Sequence, residues 1–136
     1  MRGYTFHRHA MWCRSAVLLM AGAMALQGSS ADAQEANTLA AAFTKCLACH
    51  SVGPQAQQKN GPQLNGISGK PAGGTIGFVY SEAFQAAMTA GLVWSDENLD
   101  KFLADPNAFI PGSRMAWAVP DAAERGAIIT YMKTLP

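Results

Sequence analysis

Apolar residues recur at helical spacing in four segments of the chain, and this pattern predicts helices. The first two predicted helices cover residues 35–49 and 81–92. The third begins at Ser95 and is closed by Asp105-Pro106, and the last follows Asp121. Signals for strands are weak throughout, so the predicted fold class is all-α. The core-facing positions are Leu39, Phe43 and Leu47, then Phe84, Ala87 and Met88, then Leu99, Phe102 and Leu103, and finally Ile128, Tyr131, Met132 and Leu135.

The last two helices have clear starts. Ser95 is placed to cap the third helix, with Asp96 and Glu97 near the positive end of its dipole. Asp121 is placed to cap the last helix, and Glu124 three residues later predicts a capping box. The apolar stripe of the last helix needs a packing partner, for which the first helix is the obvious candidate.

Two intervals, residues 51–77 and 107–120, are irregular and contain Gly-Pro, Gly-Gly or Pro-Gly turn signals. A linker is one interpretation of the first interval. A long irregular segment inside a compact domain is more often a binding or wrapping loop. We therefore expect residues 51–77 to wrap a bound group.

The residues Cys46-Leu47-Ala48-Cys49-His50 form a C-x-x-C-H run, which is the attachment signature of a c-type haem. Residues three apart on a helix share a face, so both thiols can form thioethers with one edge of a porphyrin. His50 is then held beside the iron. A bare C-x-x-C could instead be a thioredoxin-like redox pair or half of a zinc site, but the βαβ context and the additional ligands are missing.

The first 33 residues have the pattern of a secretory signal. Arg2, Arg8 and Arg14 form a basic region, residues 15–26 are apolar, and Ala31-Asp32-Ala33 resembles a cleavage site. The alternative is an uncleaved anchor, but a spanning helix needs about 20 apolar residues. We expect cleavage before Gln34, which leaves residues 34–136 as a single domain, exported to the periplasm and without stable membrane insertion.

Removal of residues 1–33 changes both the charge and the possible metal ligands. The formal net charge of the whole chain is +1, and that of residues 34–136 is −1. This near-neutral balance argues against nucleic acid as a partner. His7, His9 and Cys13 leave with the signal, so His50 is the only remaining histidine. A second histidine ligand within one mature chain is therefore excluded.

Three methionines remain as candidates for the other axial ligand: Met88, Met115 and Met132. Met88 and Met132 lie at helical positions where methionine usually fills the core. Met115 lies in an irregular segment after the Pro111-Gly112 turn, where helical packing does not explain an apolar residue. We therefore predict that His50 and Met115 are the axial iron ligands, an arrangement that raises the haem potential.

Several motifs together resemble the class I c-type cytochromes, the family of mitochondrial cytochrome c and its periplasmic bacterial relatives. The resemblance covers essentially all of residues 34–136. The matching segments are Phe43 to His50, Gly61-Pro62 with Leu64 and Gly66, Gly77 to Ser81, Trp94 with residues 98–100, and residues 102–115.

The resemblance implies one covalent haem c, held by Cys46 and Cys49, in a class I cytochrome c fold of three to five short helices. It implies that the Pro62 carbonyl accepts a hydrogen bond from the His50 ring. It also implies a crossing of the first and last helices at Phe43 and Tyr131. The further haem-supporting residues that it implies are Lys70, Tyr80, Trp94 and Ser113.

The chain departs from the family pattern in three places. Leu39 occupies a position where the family usually has Gly, so the helix crossing is expected to be wider or shifted. Phe102 replaces a common Tyr whose hydroxyl approaches the methionine sulfur. The segment between Tyr80 and Trp94 is also longer than in mitochondrial cytochrome c.

The leading functional hypothesis is a soluble, monomeric, periplasmic electron shuttle that is not an enzyme. Its expected partners are transient redox proteins, such as a quinol-oxidising complex, a terminal oxidase or a periplasmic dehydrogenase. Lys45, Lys59 and Arg114 could form a small positive docking rim. The alternatives are a haem peroxidase or gas sensor with a labile Met115, and a dithiol oxidoreductase without haem.

Overall fold

The structure is a computed structural model that describes residues 28–136. The predicted signal segment up to residue 27 lies outside the described residues. The elements are α1 (Gly28–Phe43), a 3₁₀ turn (Thr44–Ala48), α2 (Glu82–Thr89), α3 (Asp96–Ala104), α4 (Pro106–Phe109) and α5 (Ala122–Thr134). Within the described part, the only β pairing is an isolated bridge between Pro71 and Val93. The all-α prediction is confirmed.

Helices α1 and α5 pack against each other and contribute one side of the core. Phe43 is 1% exposed, and its ring centroid lies 4.9 Å from that of Tyr131. Ile128 and Met132 on α5 are buried beside them. The predicted pairing of the first and last helices is therefore present.

Side chains cap α2, α3 and α5, and also α4 as described below. Ser81 Oγ accepts a hydrogen bond from the Phe84 amide at 3.2 Å, and Ser95 Oγ accepts one from the Asn98 amide at 3.2 Å. An Asp121 carboxylate oxygen accepts from the Glu124 amide at 2.7 Å. Each bond satisfies an amide that has no partner within the first turn of its helix. The carboxylate of Glu124 pairs with Lys45 at 2.9 Å, so the second half of the expected capping box is replaced by a tertiary contact.

Three details of the local prediction were wrong. Leu47, predicted to face the core, is 39% exposed. The α-helix ends at Phe43, and the C-x-x-C-H motif begins on the tighter 3₁₀ turn that follows it. The segment after Asp105 begins with α4 and is not irregular from Asn107 onward. Asp105 closes α3 and also caps α4, accepting from the amides of Asn107 at 3.1 Å and Ala108 at 2.9 Å.

In residues 28–136, no helix is both long and apolar enough to cross a membrane.

Candidate functional site

A cavity of about 940 Å³ lies between the helices and the two irregular segments. This volume is at the upper end of the range of about 300–1,000 Å³ that is usual for small-molecule and cofactor sites. Apolar and aromatic side chains from all parts of the described chain form its wall. Every residue for which the sequence predicted a role in haem binding lines the cavity: Cys46, Cys49, His50, Pro62, Lys70, Tyr80, Trp94, Ser113 and Met115.

The two cysteines reach the cavity from the 3₁₀ turn and the residue after it. The amides of Cys49 and His50 both donate to the Cys46 carbonyl, at 3.1 and 2.9 Å, so the motif is a closed turn. Cys46 and Cys49 are not joined by a disulfide, so both sulfurs are available for other bonds. Burial raises the pKa of the Cys46 thiol. The turn thus presents two thiols and an imidazole to one space.

A backbone carbonyl orients the His50 ring. His50 Nδ1 lies 2.7 Å from the Pro62 carbonyl oxygen, and because a carbonyl can only accept, the proton must be on Nδ1. Nε2 then has a free lone pair, which is the form that binds a metal. Burial lowers the pKa of His50, against the opposing effect of the bond to Pro62, so the neutral ring is favoured.

Gly61 permits this close approach of chain and ring. A Cβ at position 61 would lie 2.6 Å from His50 Nδ1, closer than real Cβ atoms come to other atoms. The Gly61 amide donates to the Cys49 carbonyl at 2.8 Å. The Gly61-Pro62 pair is thus in direct contact with the attachment motif, although the two are far from adjacent in sequence.

Met115 reaches the cavity from a loop that follows a tight turn. Gly112 has a φ of +93°, and the Ser113 amide donates to the Ile110 carbonyl at 2.8 Å. Ser113 Oγ in turn accepts from the Met115 amide at 3.3 Å. Met132 also lines the cavity and is 4% exposed, whereas Met88 does not line it. The structure therefore brings two thioethers to the cavity, of which only Met115 lies outside a helix.

Aromatic rings form much of the wall. Tyr80 is stacked on Phe84 with centroids 4.8 Å apart, and Trp94 lies 5.1 Å from Phe102. Trp94 and Phe102 are 5% and 8% exposed, so both belong to the core as well as to the cavity. The two interpretations of Trp94, a core aromatic and a cofactor contact, are therefore compatible.

Two exposed apolar residues are among the cavity-lining residues to which the sequence analysis gave no role. Trp117 lines it and is nevertheless 61% exposed, and Val79 lines it at 71% exposure. An aromatic residue two positions after Met115 in an irregular segment was the available signal for Trp117. Val79 has no such signal, because an apolar residue in a loop is common.

The three cations proposed for a docking rim are each engaged with protein groups. Lys45 pairs with Glu124, and Lys59 Nζ donates to the Leu47 carbonyl at 2.8 Å. Arg114 donates to the Val79 carbonyl at 3.4 Å. Lys45 is thus partly neutralised, whereas the backbone contacts leave the charges of Lys59 and Arg114 uncompensated.

A helical fold around a cavity that presents a C-x-x-C-H motif defines the class of small haem-binding proteins with covalent attachment. The chain is 39% identical over 108 residues to cytochrome c2 iso-1 of Rhodospirillum centenum, covering 69% of this chain and 90% of that protein. It is 45% identical over 93 residues to cytochrome c2 of Agrobacterium tumefaciens, covering 68% of this chain and 84% of that protein. No protein-family model matches the chain.

The solved structure of cytochrome c2 from Rhodospirillum centenum superposes with a TM-score of 0.70 at 37% identity, covering 74% of this chain and 97% of that one. The chain belongs to the class I c-type cytochromes. It is an electron carrier with one covalently bound haem c, and not an enzyme.

Proposed function

We propose that this protein carries single electrons in the periplasm through a haem iron ligated by His50 and Met115. The observation that carries the proposal is the His50–Pro62 hydrogen bond, which leaves Nε2 of a cavity-lining imidazole free to bind iron. In the same cavity, Cys46 and Cys49 are available for thioethers, and Met115 offers a soft sulfur ligand. Haem bound there would supply reversible one-electron oxidation and reduction of its iron.

The residues present fit such a cofactor. The cavity is large, and apolar and aromatic groups form most of its wall. The side chains there that bind soft or borderline metals are one imidazole, two thiols and two thioethers, and no Asp or Glu is among the lining residues. Gly61 leaves room for the imidazole where any side chain would collide with it. This donor set suits a c-type haem with His/Met ligation and does not resemble the oxygen-rich sites of hard cations.

We assign supporting roles to five further residues. Pro62 fixes the tautomer of His50, and Ser113 holds the Met115 amide, so each orients one proposed ligand. Tyr80, Trp94 and Lys70 line the same cavity and can donate to the carboxylates of a haem. A thioether ligand stabilises reduced iron, so ligation by Met115 favours a high reduction potential.

Electron exchange requires a partner to approach the cavity mouth. Trp117 and Val79 line the cavity and are largely exposed, so the accessible edge is apolar. Arg114, whose guanidinium binds the Val79 carbonyl, adds a positive charge beside it. Such a small, mainly apolar edge suits brief contacts with membrane or periplasmic redox proteins, the partners that we propose. We also propose that residues 1–33 direct export and are then removed, which would leave α1 starting at Gln34.

Absorption spectroscopy of the holoprotein tests this proposal. We expect the oxidised form to show the weak near-infrared band of a sulfur-to-iron bond, and the reduced form to bind no carbon monoxide at neutral pH. A missing band together with rapid carbon monoxide binding would indicate an open iron and a gas-binding or peroxidase function instead. Retention of the haem spectrum after acid-acetone extraction excludes a dithiol oxidoreductase without haem.

A further inference from the structure

The side chain of Arg125 joins three parts of the fold. Its Nε donates to an Asp100 carboxylate oxygen at 2.6 Å, and its Nη2 lies 3.4 Å from the other oxygen. Its Nη1 donates to the carbonyls of Val119 at 3.1 Å and Pro120 at 2.8 Å. The Arg125 side chain is only 12% exposed. One guanidinium thus links α5, α3 and the chain that follows Met115.

The segment around Met115 is held mainly at its two ends. At one end the Ser113 amide donates to the Ile110 carbonyl, and at the other the Val119 amide donates to the Leu103 carbonyl, both at 2.8 Å. Between these two ends, residues 114–118 make no backbone–backbone hydrogen bond with any described residue. We call residues 113–120 the methionine loop. Its geometry depends on how firmly each end is fixed.

Arg125 fixes the second end. Val119 is 4% exposed and follows Met115 by four residues, so a shift of this end reaches the methionine directly. Hydrogen bonds from a charged, partly buried guanidinium are about twice as strong as those between neutral groups. The Asp100 carboxylate holds the guanidinium in place and balances its charge. The two bonds to the carbonyls therefore cost little further side-chain entropy.

We propose that Arg125, oriented by Asp100, is a positioning residue that clamps the methionine loop and thereby controls how readily another ligand displaces Met115. The proposal rests on the proposed ligation of the iron by Met115. Arg125 acts through the backbone of Val119 and Pro120, so its effect is on the strength with which Met115 is held. Loss of the clamp leaves the Val119–Leu103 bond as the only backbone–backbone hydrogen bond at that end among the described residues, so the loop moves more and the methionine leaves the iron more often.

Imidazole binding to the oxidised holoprotein measures this property, because an external ligand can enter only when Met115 leaves. The test variants are Arg125→Gln, Arg125→Lys and Asp100→Asn. The matched control is Lys133→Gln, because the Lys133–Asp96 pair also joins α5 to α3, at 2.8 Å, but does not touch the methionine loop. Unfolding by denaturant and the near-infrared band are recorded for each variant.

We expect Arg125→Gln to bind imidazole roughly tenfold more tightly than the wild type, the factor for the loss of about one charge-assisted hydrogen bond. Arg125→Lys keeps the charge but not the planar fork, so an intermediate gain is expected. Asp100→Asn should also give an intermediate gain, and Lys133→Gln should remain within about twofold of the wild type. If Arg125→Gln does not fold, the other two variants carry the comparison.

Two outcomes overturn the clamp. One is an imidazole affinity in the Arg125 and Asp100 variants no greater than that of Lys133→Gln. The other is an affinity that follows the unfolding free energy along one line for all variants, which would indicate general destabilisation. A wild-type protein without the near-infrared band instead refutes the ligation by Met115, so the two failures are distinguishable.

Discussion

The Nδ1 atom of His50 lies 2.7 Å from the carbonyl oxygen of Pro62, and this contact determines which ring nitrogen remains free for iron. It depends on Gly61, the residue before the proline, because only a glycine leaves space for the imidazole there. The orientation of the proposed ligand is thus established by backbone atoms from a different segment of the chain.

The substitution Gly61→Ala should therefore weaken the protein. The added methyl group would collide with the His50 ring, and relief of such overpacking typically costs about 1–3 kcal/mol. Denaturant unfolding of the holoprotein measures the change. Gly126→Ala is the control, because Gly126 lies in α5 with open space around its Cβ position, and this variant should be more stable by about 0.5–1 kcal/mol. Equal stabilities of the two variants would contradict the packing argument.

Replacement of Met115 by Leu removes the thioether while it preserves most of the volume. We expect the Met115→Leu protein to lose the near-infrared band and to have a lower reduction potential, because the soft sulfur no longer favours reduced iron. Met132→Leu is the matched control, since Met132 also lines the cavity but is a buried helical residue. If the band disappears in the control and survives in Met115→Leu, the ligand assignment is wrong.

The cysteines give a prediction about covalent attachment. The double variant Cys46→Ser/Cys49→Ser should lose all haem that survives denaturing electrophoresis, whereas each single variant should retain a weaker stain through one thioether. Cys13→Ser should stain like the wild type, because Cys13 precedes the predicted cleavage site before Gln34 and is expected to leave with the signal. A loss of stain in Cys13→Ser would argue against the proposed division of the chain at residue 34.

The crossing of α1 and α5 is expected to be a major source of stability. Phe43 is almost completely buried against Tyr131, so Phe43→Ala should destabilise the protein by about 3–5 kcal/mol. Tyr131→Phe preserves the ring contact and should change the free energy of unfolding by less than about 1 kcal/mol. Chemical denaturation of both variants checks this, and a small effect of Phe43→Ala would show that the bound cofactor stabilises the crossing by itself.

Local patterns predicted the helices where local interactions determine them. The starts of α3 and α5 were correct because Ser95 and Asp121 cap the amides that directly follow them. The sequence missed α4, although Asp105 followed by Pro106 is also a helix-start signal, because one residue closes α3 and caps the next helix at once. The 3₁₀ turn at Thr44–Ala48 has no distinctive residue pattern, so its difference from an α-helix was not predictable.

The sequence by itself determined the chemistry that is local to the chain. Two thiols and an imidazole within five residues define covalent haem attachment, and the apolar spacing defines the helices. The tertiary structure placed Pro62 and Met115 in the same cavity as His50. Local patterns do not determine these contacts, because they join distant segments, and the His50–Pro62 bond was predicted only from the family resemblance. The hydrogen bonds from Arg125 to the Val119 and Pro120 carbonyls were visible only in the tertiary structure. Every residue has a backbone carbonyl, so the amino-acid sequence does not indicate which carbonyl a distant guanidinium binds.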